Sequence, residues 1–136
     1  MFYAFDLEIP RSTTQAAPLQ VDLPLNEGII SRVGIGYPDG CGGLAQLQLL
    51  RFERQVFPTN PNSHFQWNGE AIWWDEYLPL VDTPFSLKAN AWNTDDTTQH
   101  TITVWVSVVP FDVYWRLAPS KALDRQLRRA FGLPSL

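Results

Sequence analysis

An all-β fold is predicted for this 136-residue chain, specifically a jelly-roll-like antiparallel β-sandwich with a short C-terminal helix. Three observations lead there. Apolar and polar residues alternate over several short stretches, the period of a strand buried on one side. The 11 prolines and 8 glycines punctuate the chain between those stretches and do not pool in one block. No helical crossover pattern lies between the stretches, as a parallel sheet would need. About seven or eight strands at this spacing suit a sandwich, and the count leans towards a jelly roll over an immunoglobulin-like order. A hydrophobic fraction of 45% is enough for one packed core, so residues 1–110 form one sandwich domain and 111–136 a basic extension.

The first strand is read over residues 2–9, where Tyr3, Phe5, Leu7 and Ile9 alternate until Pro10 ends the run. A second covers 19–23 and is closed by Pro24. A third covers 28–37, with Ile29, Val33, Ile35 and Tyr37 on one face. Its Gly34-Ile35-Gly36 is part of the strand and not a phosphate-cradling loop, because no helix pattern follows. Pro38-Asp39-Gly40 is a strong turn signal. Residues 43–53 read as one strand whose leucines alternate with Gln46 and Gln48. Residues 57–69 carry too many prolines and small polar residues for a sheet, and they form the loop where a functional site is expected. Strands resume at 70–74, 85–92 and 101–109. The last two are expected to pair as a hairpin, with Trp92 opposite Thr101, Asn90 opposite Thr103 and Lys88 opposite Trp105. In that register every apolar partner falls on the other side.

After Pro110 the period changes. Ser120 can cap a helix, Leu123, Leu127, Ala130 and Phe131 share one face, and Gly132 with Pro134 supplies a stop. The extension carries Arg116, Lys121, Arg125, Arg128 and Arg129 against Asp112 and Asp124. That net +3, within a chain total of −4, leaves −7 on the first 110 residues. Such asymmetry marks a tail that docks on a separate surface, and the acidic domain argues against a nucleic-acid partner.

No run approaches the roughly 18 apolar residues that cross a membrane, and the amino terminus has no basic leader followed by an apolar run, so a soluble, unexported product is expected. Cys41 has no partner for an internal disulfide and is read as a buried structural thiol. His64 and His100, even beside Asp95-Asp96, do not converge in sequence on the three or four ligands a zinc ion takes. Neither a metal, nor a cofactor, nor a catalytic residue is assigned.

The six tryptophans carry the functional argument. Trp73 and Trp74 are consecutive, so an extended backbone sends them to opposite faces, and only one can join a given core layer. Trp92 and Trp105 fall on the polar side of their strands. Each outward indole needs a cover: the amino-terminal segment, the 57–69 loop, the C-terminal helix or a partner. The partner-binding set is therefore Trp73, Trp74, Trp92 and Trp105, with Leu123, Leu127, Phe131, Arg125, Arg128 and Arg129 of the extension. The alternative is a carbohydrate-binding module with Trp67, Trp73, Trp74 or Trp92 as its stacking surface.

Several runs carry a family resemblance: Gly28-Ile29-Ile30-Ser31-Arg32-Val33, Tyr37-Pro38-Asp39-Gly40-Cys41-Gly42-Gly43-Leu44, Gln55-Val56-Phe57-Pro58-Thr59-Asn60-Pro61, Ala91-Trp92-Asn93-Thr94-Asp95-Asp96 and His100-Thr101-Ile102-Thr103-Val104. Over residues 9–110 the chain resembles small β-sandwich virion structural proteins of tailed bacteriophages and prophages. The resemblance implies a non-enzymatic virion component, made in the host cytoplasm, that decorates the capsid or belongs to the neck, tail or a fibre. Its partners would be capsid, neck or tail proteins of the same virion and further copies of itself.

Overall fold

The structure, a computed structural model, describes residues 1–113. Eight strands run in chain order: β1 (Phe2–Ile9), β2 (Leu19–Pro24), β3 (Gly28–Gly36), β4 (Ala45–Arg51), β5 (Arg54–Phe57), β6 (Ala71–Leu80), β7 (Ser86–Asn93) and β8 (His100–Val109). They build two four-stranded antiparallel sheets, the first in the order β1-β8-β3-β6 and the second in the order β2-β7-β4-β5. The pairs β1–β8, β2–β7, β3–β6 and β4–β5 are those of one long hairpin whose tip is β4–β5, rolled so that successive pairs fall alternately in the two sheets. That is a jelly-roll sandwich, the order towards which the strand count leaned.

Between the sheets, Leu7, Ile9, Leu23, Val33, Ile35, Leu47, Leu49, Leu87, Ile102, Val104 and Val106 join one buried cluster, and Cys41 is buried with them. β4, β7 and β8 supply alternate residues to this layer, the physical content of the alternation. Residues 111–113 make a single helical turn. The helix expected over the 120s, with Leu123, Leu127, Phe131, Arg125, Arg128 and Arg129, lies outside the described residues.

Three expectations are corrected. β7 and β8 do not pair as a hairpin: β7 lies between β2 and β4, and β8 between β1 and β3, in opposite sheets. Leu87, Ala89 and Ala91 do share a cluster with Val106, Val104 and Ile102, but across the core and not side by side. Lys88 accordingly meets Glu53 and not Trp105. In β3 the register shifts between Ile30 and Arg32, so Ile30 joins the core cluster where Ile29 was expected. The strand read over 43–53 is two, β4 and β5, joined by a tight turn in which Phe52 (φ 52°) and Glu53 (φ 63°) both occupy the left-handed region. A two-residue hairpin turn with both central φ positive normally uses asparagine or glycine.

The β4–β5 corner is tied down by Arg51, which is only 8% exposed. Its Nη1 donates to the carbonyls of Pro84 and Ser86, and its Nη2 to that of Asp82 at 2.8 Å. Burial lowers its pKa, with Asp82 opposing that shift. Arg51→Met leaves those three carbonyls without their donor and is expected to cost roughly 2–4 kcal/mol, read from urea unfolding midpoints.

Candidate functional site

The outer face of the first sheet gathers exposed aromatic residues. Strand register sets Ala4, Trp105, Gly34 and Trp73 in one row across β1, β8, β3 and β6. The next row is Phe2, Ser107, Arg32 and Asp75. Because glycines occupy the outward positions of β3, the indoles from both neighbouring strands lean over it. A Cβ added at Gly34 would lie 2.5 Å from the Trp73 ring, and one at Gly36 would lie 2.5 Å from that of Trp105. The two indoles are near-parallel, with ring centroids 5.0 Å apart and an interplanar angle of 17°. Phe2 continues the group at 6.5 Å from Trp73.

Arg32 sits with its guanidinium carbon 5.1 Å from the Trp73 centroid and its Nε 3.8 Å from Asp75. A cation–π contact at such an exposed place contributes about 0.5–1 kcal/mol, and the exposed ion pair less. Phe2 remains 63% exposed and Trp73 40% exposed, while Trp105 is half-buried. The face is thus an aromatic surface on a glycine floor, edged by one guanidinium–carboxylate pair.

Trp74 turns the other way, as consecutive strand residues must. It packs on the core, 5.1 Å from Phe65 and 5.5 Å from Phe57, and its Nε1 donates to Glu76 at 3.2 Å. Trp92 does lie on the outer side of the second sheet, level with Lys88 and Asn90, yet it is only 1% exposed. The loop between β5 and β6 folds over it. His64 meets its ring edge-on at 5.4 Å, and its Nε1 donates to Gln46. One of the covers weighed for the outward indoles is therefore in place, and Trp92 is not an exposed anchor. Of the four strand tryptophans, the structure brings together Trp73 and Trp105 and uses Trp74 and Trp92 internally.

Phe2, Arg32 and the two glycines were not singled out by sequence reasoning. The signal was present in Gly34-Ile35-Gly36, where Ile35 enters the core and both glycines must then face outward. Knowing which indoles flank them required the strand order.

Asp95 and His100 form a turn brace. Asp95 accepts from the Thr97 amide and hydroxyl, the Thr98 amide and, at 2.9 Å, His100 Nε2. Asn93, buried beside it, donates to the carbonyls of Ile9 and Thr98. This brace carries the chain from the second sheet to the first, which is why 94–99 is not a hairpin turn. The Thr97 amide and hydroxyl, then His100, hold the Asp95 carboxyl well below the usual carboxylate range. The resulting stability is fully present above the unfolded value of about 4 and is lost as pH falls towards the lower folded value. Asp95→Asn is therefore expected to flatten the fall in urea midpoint below pH ~4 relative to the parent; equal slopes would contradict that role.

Comparisons with protein-family models, with curated proteins and with solved structures find no match to this chain. What the fold and the site define is a class: a jelly-roll sandwich presenting an aromatic outer sheet face.

Proposed function

We propose that this chain is a non-enzymatic structural protein of a bacteriophage virion, acting by protein–protein assembly. Copies of the chain associate with one another and with capsid, neck or tail proteins of the same particle. The observation that carries this reading is the Phe2, Trp73 and Trp105 group on the wet side of the first sheet. Aromatic residues clustered with an arginine are the composition of interface centres, where burial of each ring supplies the driving force. In an isolated domain the same rings would sit against water on a sheet that is already covered on its other side.

Two further points support the reading. Jelly rolls serve as capsid subunits as well as lectins, so the fold is compatible with assembly without demanding it. The runs over residues 9–110 that resemble virion structural proteins point the same way. The test is incorporation. A chain carrying Trp73→Ser is expected to be missing from purified phage particles while the isolated protein keeps its near-UV circular dichroism. Normal incorporation of that variant would remove the aromatic face from the account.

A further inference from the structure

We infer that the chain also carries a carbohydrate-binding site, built on Trp67 in the loop between β5 and β6, that takes an uncharged sugar. The site shares one lining residue, Glu70, with the hollow beside Gly36 and Trp105 at the aromatic face of the first sheet, and it does not depend on the assembly reading. Trp67 is 50% exposed, and its ring is fixed by a 3.1 Å hydrogen bond from Nε1 to Glu70 Oε2. Beside it opens a hollow of about 560 Å³ lined by Gly43, Gln66, Trp67, Asn68 and Glu70. Gly43 keeps one wall low: a Cβ there would meet nothing within 4 Å.

The polar groups around the hollow are oriented by contacts behind them. The buried indole of Trp92 can only donate, so its bond to Gln46 fixes that amide with Oε1 towards the ring. Gln46 Nε2 is then the donor to Gln66 Oε1 at 3.0 Å, and His64 Nε2 donates to the same oxygen at 3.1 Å. Gln66 is left with Nε2 as its outward group. Asn68 is set the same way, since its Oδ1 accepts from the backbone amides of Gly40 and Gly42, each at 3.0 Å, and Nδ2 remains. Glu70 spends Oε2 on Trp67 and keeps Oε1. Among the described residues none of these three outward atoms has a protein partner.

A parallel row on the same sheet shows the contrast. It runs from Gln20 through Asn90 and Gln48 to Gln55, whose Nε2 is consumed by the carbonyls of Pro58, Asn60 and Ser63. The Trp92–Gln46–Gln66 row ends instead at the open hollow. An exposed indole with two amide donors and one carboxylate acceptor, all held before any ligand arrives, matches a sugar ring. Its C–H face stacks on the indole, and its hydroxyls both donate and accept. Glu70 and nearby Asp39, whose carboxylate folds against Gly69, disfavour sialic and uronic acids by like charge.

The test is an array of neutral gluco-, galacto-, manno- and N-acetylglucosamine oligosaccharides beside sialylated and uronic-acid glycans, probed with the full chain. The strongest neutral hit is then titrated by tryptophan fluorescence. Binding is expected to weaken about tenfold in Trp67→Ala, the size of one lost aromatic contact. It should weaken measurably in the near-isosteric Glu70→Gln, and stay at the parent level in Phe52→Ser, which removes an exposed ring elsewhere. The inference is overturned if no neutral oligosaccharide binds or if acidic glycans are preferred. It is equally overturned if Trp67→Ala and Glu70→Gln both bind normally, or if Trp73→Ala or Phe52→Ser loses as much as Trp67→Ala.

Discussion

Replacing Trp92 with alanine is expected to cost about 3–5 kcal/mol of folding stability, the range for deleting a fully buried tryptophan. The ring is enclosed although it stands on the outer side of the second sheet, because the β5–β6 loop lies over it with His64 at its edge. Its loss opens a cavity beneath that loop and strips Gln46 of the donor that orients its amide. The loop can settle partly into the space, which places the cost nearer the lower end. Trp92→Phe keeps most of the volume but removes the N–H, so it should cost less stability while freeing the Gln46 and Gln66 amides to turn. Urea unfolding followed by circular dichroism measures both variants. A loss under about 1 kcal/mol for Trp92→Ala would mean that the loop does not enclose the ring.

Gly34→Val is expected to do the reverse, leaving the fold stable and dismantling the aromatic face. Valine suits a central strand, and at this outward position its methyls enter no core layer. Its Cβ would nevertheless fall 2.5–2.7 Å from three atoms of the Trp73 ring. Trp73 is 40% exposed, so the indole can swing towards solvent and relieve the clash at little cost to folding. The parallel contact with Trp105 goes with it. The thermal midpoint should stay within about 4 °C of the parent, equivalent to roughly 1 kcal/mol for a chain of this size, while tryptophan emission shifts to the red. A large fall in the midpoint would show that the indoles act as a second core and not as an interface.

These two residues also show how far the sequence could be read. Alternation placed Trp92 on the outer side of its strand and Gly34 opposite Ile35, because the side-chain period of a strand fixes faces. It could not fix partners. Leu87, Ala89 and Ala91 complement Val106, Val104 and Ile102 equally well beside one another in a sheet or across a core, and the structure uses the core. β5 stayed hidden because its turn is Phe52-Glu53, which carries neither glycine nor asparagine to announce two positive φ angles. The shift at Ser31 was hidden for a related reason: Ile29 and Ile30 are both apolar, and only pairing with β6 and β8 decides which faces the core.

The candidate site divides the same way. That Trp73 and Trp74 face opposite ways follows from adjacency alone; that Trp74 is the one turned to the core came from the structure. The gathering of Phe2, Arg32, Trp73 and Trp105 needs β1, β8, β3 and β6 side by side, an order that no local pattern encodes. Trp67 was visible as an aromatic in a proline-rich loop. The fixed orientation of Gln66 and Asn68 beside it arises from Trp92 and from the 40–42 backbone, both distant in sequence.

Assembly through the outer face of the first sheet, as proposed, is tested most directly by light-scattering mass across a concentration series. The parent chain is predicted to run as an oligomer, and Gly34→Val as a folded monomer under the same conditions. A parent that stays monomeric throughout, or a Gly34→Val variant as large as the parent, would contradict it.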